Sequence, residues 1–190
     1  MKAAVLAVQG AFLEHEAMLR KIGIDTIELR ERKDLDRDFT GIVLPGGEST
    51  AQGKLLRELG MFDGLQEKIS GGMPVLATCA GLILLADRIV NDSRSYFRTL
   101  PVAVRRNAYG RQLGSFYTTE LFRGVGRIPM TFIRAPYIES VENDVEVLAE
   151  CGGKIVAVRY QNQLAMAFHP ELGGDSRIHK RFAEMMCART

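Results

Sequence analysis

Residues 3–8, Gly41–Leu44 and residues 74–77 are short, unbroken apolar runs, each leading into a turn rich in small residues and then a segment of helical period. A strand that shows no in-and-out alternation must be covered on both faces, which is the condition of a strand in a parallel sheet. Apolar residues at helical spacing predict a helix over residues 12–22, closed by Gly23. Residues 26–29 read as a further strand. Ser49 or Thr50 is placed to cap a helix running to about Leu59, and another helix is expected before Gly71-Gly72. A helix is also expected over residues 81–89. The second half reads as short strands over residues 102–104, 115–119, 130–133, 145–148 and Lys154–Tyr160, with a hairpin over residues 160–168. An amphipathic helix over residues 176–187 ends the pattern. No repeat, linker or low-complexity tract interrupts 190 residues. The expectation is one domain, 1–190, of α/β class: three layers, with a mixed, mostly parallel sheet and helices on both faces.

Several function classes fall away on composition. No stretch approaches the roughly 20 apolar residues that a membrane helix requires. The first apolar segment meets Gln9, Glu14 and His15 too soon for a signal peptide, so a cytoplasmic protein without membrane contact is expected. Three cysteines, Cys79, Cys151 and Cys187, form no C-x-x-C pair and suggest no disulfide framework. Three histidines, His15, His169 and His179, give poor support for a metal site, and no cofactor is expected. His15 has no evident partner, and His179, among Arg177, Lys180 and Arg181, reads as part of a solvated helix face. Net charge is only +2, yet residues 94–134 hold eight arginines and a single acid, Glu120. Such a segment suits a solvated or partner-docking face, or a site for phosphate, carboxylate or nucleic acid.

Ala77-Thr78-Cys79-Ala80-Gly81 lies where a buried strand should turn into a helix. It has the form small-x-nucleophile-x-Gly of a nucleophile elbow, whose small residues permit a tight turn. A thiol at a helix N-terminus meets the positive end of the helix dipole, and nearby N–H groups can hold an oxyanion. Cys151 and Cys187 lack this context and read as structural. His169-Pro170-Glu171 follows the apolar residues 164–168. Pro170 biases His169 toward an extended backbone, which puts Glu171 on the same side, able to orient the imidazole. Pro45-Gly46-Gly47-Glu48-Ser49-Thr50 follows a strand and opens a helix. It fails the phosphate-loop pattern in spacing, and Leu55 follows Lys54 where Ser or Thr is needed. It reads better as a second oxyanion donor at the ligand-binding edge of the sheet.

In this order, the glycine turn, the cysteine elbow and His-Pro-Glu resemble the class I, triad-type glutamine amidotransferases, with Ala77 where their elbow usually has glycine. Six blocks narrow the resemblance to the glutaminase subunits of pyridoxal phosphate synthase: Val8-Gln9-Gly10-Ala11, Leu44-Pro45-Gly46-Gly47-Glu48-Ser49-Thr50, Thr78-Cys79-Ala80-Gly81-Leu82-Ile83-Leu84, Arg106-Asn107-Ala108-Tyr109-Gly110-Arg111-Gln112, Phe132-Ile133-Arg134-Ala135-Pro136 and Phe168-His169-Pro170-Glu171-Leu172. The resemblance implies a flavodoxin-like sheet, with Cys79 as nucleophile, His169 as general base and acid, and Glu171 as orienter. It implies oxyanion donors at Gly47 and Ala80, and a glutamine site formed by Gly47, Glu48, Ser49, Arg106, Ile133 and Arg134. It also implies a separate synthase subunit, in a large heteromeric complex, that receives the ammonia. Two rivals suit parts of the sequence. One is another cysteine hydrolase on the same fold, such as a peptidase or γ-glutamyl hydrolase. The other is a single-stranded nucleic-acid binder using Arg98, Arg105, Arg106 and Arg111 beside Phe97, Tyr109, Phe116 and Tyr117; the low net charge argues against it.

Overall fold

The computed structural model describes residues 1–106 and 114–188. In chain order its elements are β1 (Lys2–Leu6), α1 (Phe12–Lys21), β2 (Asp25–Leu29), β3 (Gly41–Leu44), α2 (Ser49–Glu58), α3 (Phe62–Ser70), β4 (Val75–Thr78), α4 (Ala80–Leu85), β5 (Ala86–Ile89), β6 (Leu100–Arg105), β7 (Ser115–Phe122), β8 (Gly126–Ile133), β9 (Tyr137–Val141), β10 (Glu146–Cys151), β11 (Lys154–Tyr160), β12 (Gln163–Met166) and α5 (Arg177–Cys187). Short 3-10 turns cover Arg32–Asp36 and Pro170–Leu172.

The unbroken apolar runs form adjacent parallel strands in the order β2-β1-β3-β4-β12. This is the doubly wound, flavodoxin-like order. Every residue of β3, β4 and β12 is buried. The right-handed crossover rule then sends α1 to one face of the sheet and α2 and α3 to the other. The α5 helix joins α1: its Phe182 and Met186 press on Gly41 of β3, leaving no room for a Cβ there. Beyond β12 the pairing turns antiparallel through β11, β9 and β6, with β10 also on β11. A separate two-stranded ribbon, β7-β8, stands off this sheet.

Three expectations are corrected. The helix expected over residues 81–89 stops at Leu85, and Ala86–Ile89 is a strand parallel to β6. Leu82 to Leu85 are all buried, so the apolar run shows no face by which to tell helix from strand. The α2 cap is neither Ser49 nor Thr50 but Glu48, whose carboxylate accepts the N–H groups of Thr50 and Ala51 at 3.1 and 2.7 Å. The α5 face is amphipathic as expected, but His179 lies on its buried side. The strand β9 was not anticipated, since Tyr137–Val141 alternates only weakly.

Candidate active site

The cleft is built where β1, β3, β4 and β12 end side by side. Cys79, at the junction of β4 and α4, has φ 47° and ψ −98°. Positive φ is sterically costly for a residue with a Cβ, so the surroundings must enforce it. Its N–H donates to the Met166 carbonyl at 2.8 Å. Two residues on, Gly81 lies so close to the Leu44 carbonyl that a Cβ would overlap it. Ala77 is fully buried within β4, in register with Leu44 and Ala165, and its methyl group is accommodated.

His169 leaves β12 with its N–H donating to Thr131 of β8 at 2.8 Å. Its ring lies against Gly46, where any Cβ would collide with Cε1. His169 Nδ1 is 2.7 Å from Glu171 Oε1, and the carboxylate is buried on the 3-10 turn that Pro170 begins. Burial opposes the imidazolium. Hydrogen bonds to Cys79 and Glu171, with the charges of both, outweigh it, and the His169 pKa is pushed up to about 10. Burial likewise opposes the Glu171 carboxylate, but His15 and His169 facing it hold its carboxyl below the usual range.

The glycine turn is fastened from three sides. The Thr78 hydroxyl accepts the Gly46 N–H at 2.9 Å, and Gln9 Oε1 accepts the Glu48 N–H at 2.8 Å. Gln52 donates to the carbonyls of Gln9 and Pro45 at 3.0 and 3.2 Å. Above it opens a cleft of about 470 Å³ whose walls include Gln9, Gly47, Glu48, Ser49, Cys79, Arg106, Ile133, Arg134, Pro136 and His169. All six residues expected to hold a substrate therefore line it. Ala80 is buried beneath as the first residue of α4, where an N–H has no acceptor within the helix. Ser49 is buried in the wall and its Oγ makes no hydrogen bond. Arg106 donates to Glu48 at 3.1 Å and lies 3.5 Å from Asp92. The backbone of Arg134 is held at φ 42°, its N–H donating to the Gly114 carbonyl. The Asn107-to-Gln112 part of the motif lies outside the described residues.

Two histidine readings are overturned. His15 and His179 are both completely buried, with His15 Nδ1 3.0 Å from His179 Nε2. His15 Nε2 lies 3.1 Å from Thr78 Oγ1 and 3.3 Å from Glu171 Oε2. A signal was present: His15 falls three residues after Phe12 and four before Leu19, and His179 three before Phe182. Both therefore share the apolar face of their helices. Sequence reasoning gave no role to Thr78, the unassigned position of the elbow, nor to Gln52 and Asp92, which belong to no motif. The arginine-rich segment is dispersed against acids: Arg94 on Asp92, Arg98 on Asp87, Arg105 on Glu139, Arg123 on Glu146. Phe97 is buried against Phe62, and Phe116 stacks on Phe132, so neither ring offers an open stacking platform. Cys151 is half-buried and Cys187 exposed. Among the described residues no helix is long and apolar enough to cross a membrane. Nor does any group of three His, Cys, Asp or Glu side chains among them come together to hold a metal ion.

A strained cysteine and a carboxylate-backed imidazole lining one cleft at the edge of a doubly wound sheet are the arrangement expected of the class I glutamine amidotransferases. Residues 5–188 match the SNO glutamine amidotransferase family, and the chain belongs to it. It is 65% identical over 184 residues to a pyridoxal 5'-phosphate synthase subunit PdxT of Desulfitobacterium hafniense (strain DSM 10664 / DCB-2), covering 97% of this chain and 92% of that one. It is 53% identical over 188 residues to the protein of the same name from Haemophilus influenzae (strain PittEE), covering 97% and 98%. A crystal structure of a glutamine amidotransferase superposes with a TM-score of 0.93 at 40% identity, covering 98% of this chain and all of the other.

Proposed function

We propose that this protein hydrolyses glutamine to glutamate and ammonia through a thioester on Cys79, and passes the ammonia to a synthase subunit that makes pyridoxal 5'-phosphate. The observation that carries the chemistry is the His169 ring, bonded to Glu171 at 2.7 Å and lining the same cleft as Cys79. The synthase partner rests on the similarity over nearly the full chain to relatives named as subunits of that enzyme.

The Cys79 sulfur attacks the side-chain carbonyl of glutamine, and the oxyanion is held by the Gly47 and Ala80 N–H groups. His169 gives its proton to the departing nitrogen, ammonia leaves, and a glutamyl thioester remains. Water then attacks, His169 takes its proton, and glutamate departs as the proton returns to the thiol pair. Glu171 fixes the ring throughout. Arg106 and Arg134 suit the α-carboxylate and Glu48 the α-ammonium of the substrate. Since Arg106 and Glu48 pair with each other across the cleft wall, the two ends of a zwitterion exchange for a contact already of the right polarity. Ser49 Oγ, buried without a partner, is a further group for the substrate to satisfy. A cytoplasmic setting, which keeps thiols reduced, suits the free Cys79.

Ammonia release from glutamine by the wild type and by Cys79→Ala and His169→Ala, each with the synthase subunit present, tests this. Both variants should lose at least about a thousandfold in turnover. Wild-type rates in either would overturn the triad, and release of amino acids from peptides instead of ammonia from glutamine would favour a peptidase.

A further inference from the structure

Glu171 has two carboxylate oxygens and His169 uses one. The other, Oε2, is buried and makes no hydrogen bond of good geometry. The ring of His15 stands beside it, Nε2 at 3.3 Å, aligned on Thr78 Oγ1 at 3.1 Å. His15 comes from α1, far from both triad segments in sequence, and the chain seals it completely from water. Behind it, His179 from α5 closes on Nδ1 at 3.0 Å.

The tautomers can be assigned by elimination. Burial lowers the pKa of His15, with Glu171 opposing and His169 adding to the shift, and lowers that of His179 to about 3. Each ring is therefore neutral at pH 7 and has one N–H. The groups facing His15 are Glu171, His169 and His179, with Glu14 on its own helix. If His15 carried its proton on Nδ1, Nε2 would accept the Thr78 hydroxyl but would turn a lone pair toward the Glu171 carboxylate 3.3 Å away. His179 would then hold a buried N–H on Nδ1, an atom that has no partner. Orphaned buried N–H groups are rarer than under-used acceptors. With the proton on His15 Nε2, that N–H donates to Thr78 and faces Glu171 at 3.3 Å. His179 Nε2–H then donates to His15 Nδ1, and the unpartnered His179 Nδ1 is only a lone pair.

We propose that His15 is a positioning residue of the triad: its Nε2–H, aligned on Thr78, presents its positive edge 3.3 Å from the second oxygen of Glu171, so that the first stays on His169, and His179 fixes the tautomer that makes this possible. The proposal rests on the glutaminase reading and adds a member to its site. Removing the ring takes away the one N–H edge facing a buried carboxylate oxygen that has no hydrogen bond of its own, which loosens the hold of the carboxylate on the imidazole and, through it, on the Cys79 sulfur.

The test has three parts on the intact chain. Nitrogen-15 NMR of the histidine-labelled wild type, with only three histidines to assign, should show His15 protonated on Nε2 and bare on Nδ1. In His15→Leu, kcat for glutamine with the synthase subunit should fall about tenfold or more while KM stays within about twofold. The rate of iodoacetamide alkylation of Cys79 at pH 7, followed on its own peptide, should fall about tenfold. His15→Gln, whose amide nitrogen reaches the position of Nε2, should restore most of both. An Nδ1–H tautomer in the wild type would overturn the proposal even if His15→Leu failed to fold. So would a folded His15→Leu with wild-type kcat and alkylation rate. A wild type that alkylates as described yet releases no ammonia would sink the glutaminase reading and leave the His15 contact standing.

Discussion

At Cys79 the backbone and the chemistry make opposite demands. A φ of 47° costs on the order of 1–3 kcal/mol for a residue with a Cβ, and it is imposed because it presents the sulfur to the cleft. Cys79→Gly should therefore abolish hydrolysis while raising stability by about 1 kcal/mol, read as a shift in the urea unfolding midpoint. His169 adds a pH signature. Its pKa rises from 6.5 to about 10 on folding. A raised folded pKa contributes stability that is fully present below 6.5 and is lost as the pH climbs through about 10. Urea midpoints measured from pH 7 to about 10 should decline more steeply for the wild type than for His169→Gln, and parallel curves would show that the ring holds no such proton.

Among the elements, the β7-β8 ribbon matters more than its place off the main sheet suggests. Thr131 of β8 fixes the backbone of His169, and Phe132 stacks on Phe116 at 4.5 Å and leans on Phe168 at 5.8 Å. Phe132→Ala should cost about 3 kcal/mol by denaturant titration and reduce turnover more than it changes KM, because it frees the strand end that carries the imidazole. The elements were legible to the degree that their burial was one-sided or complete over a strand's length. Gly41–Leu44 was placed to the residue, and so was Lys154–Tyr160. The α4-β5 boundary was not, because residues buried on all sides carry no period. His15 and His179 were misread for a related reason. His15 was read as partnerless and His179 as solvated, whereas each ring finds its partner on another helix, a pairing that no spacing within one helix reveals.

Across the whole molecule, the site exists only because the sheet order brings four distant segments to one edge. The turn after β1, the glycine turn after β3, the elbow after β4 and the histidine after β12 are adjacent by topology alone. The residues proposed as the triad were placed from motif order, Cys79 and His169 after strand ends and Glu171 on the turn that follows. The fastenings behind them, Thr78 on Gly46 and Gln9 on Glu48, could not be placed so, since they depend on register between strands. The most direct measurement is an acid quench during glutamine turnover with the synthase subunit present, followed by peptide mapping of the trapped acyl group. A glutamyl adduct on the Cys79 peptide, absent from Cys79→Ala together with ammonia release, is the expected result. Sustained ammonia release with no adduct on Cys79, or unchanged release by Cys79→Ala, would contradict it.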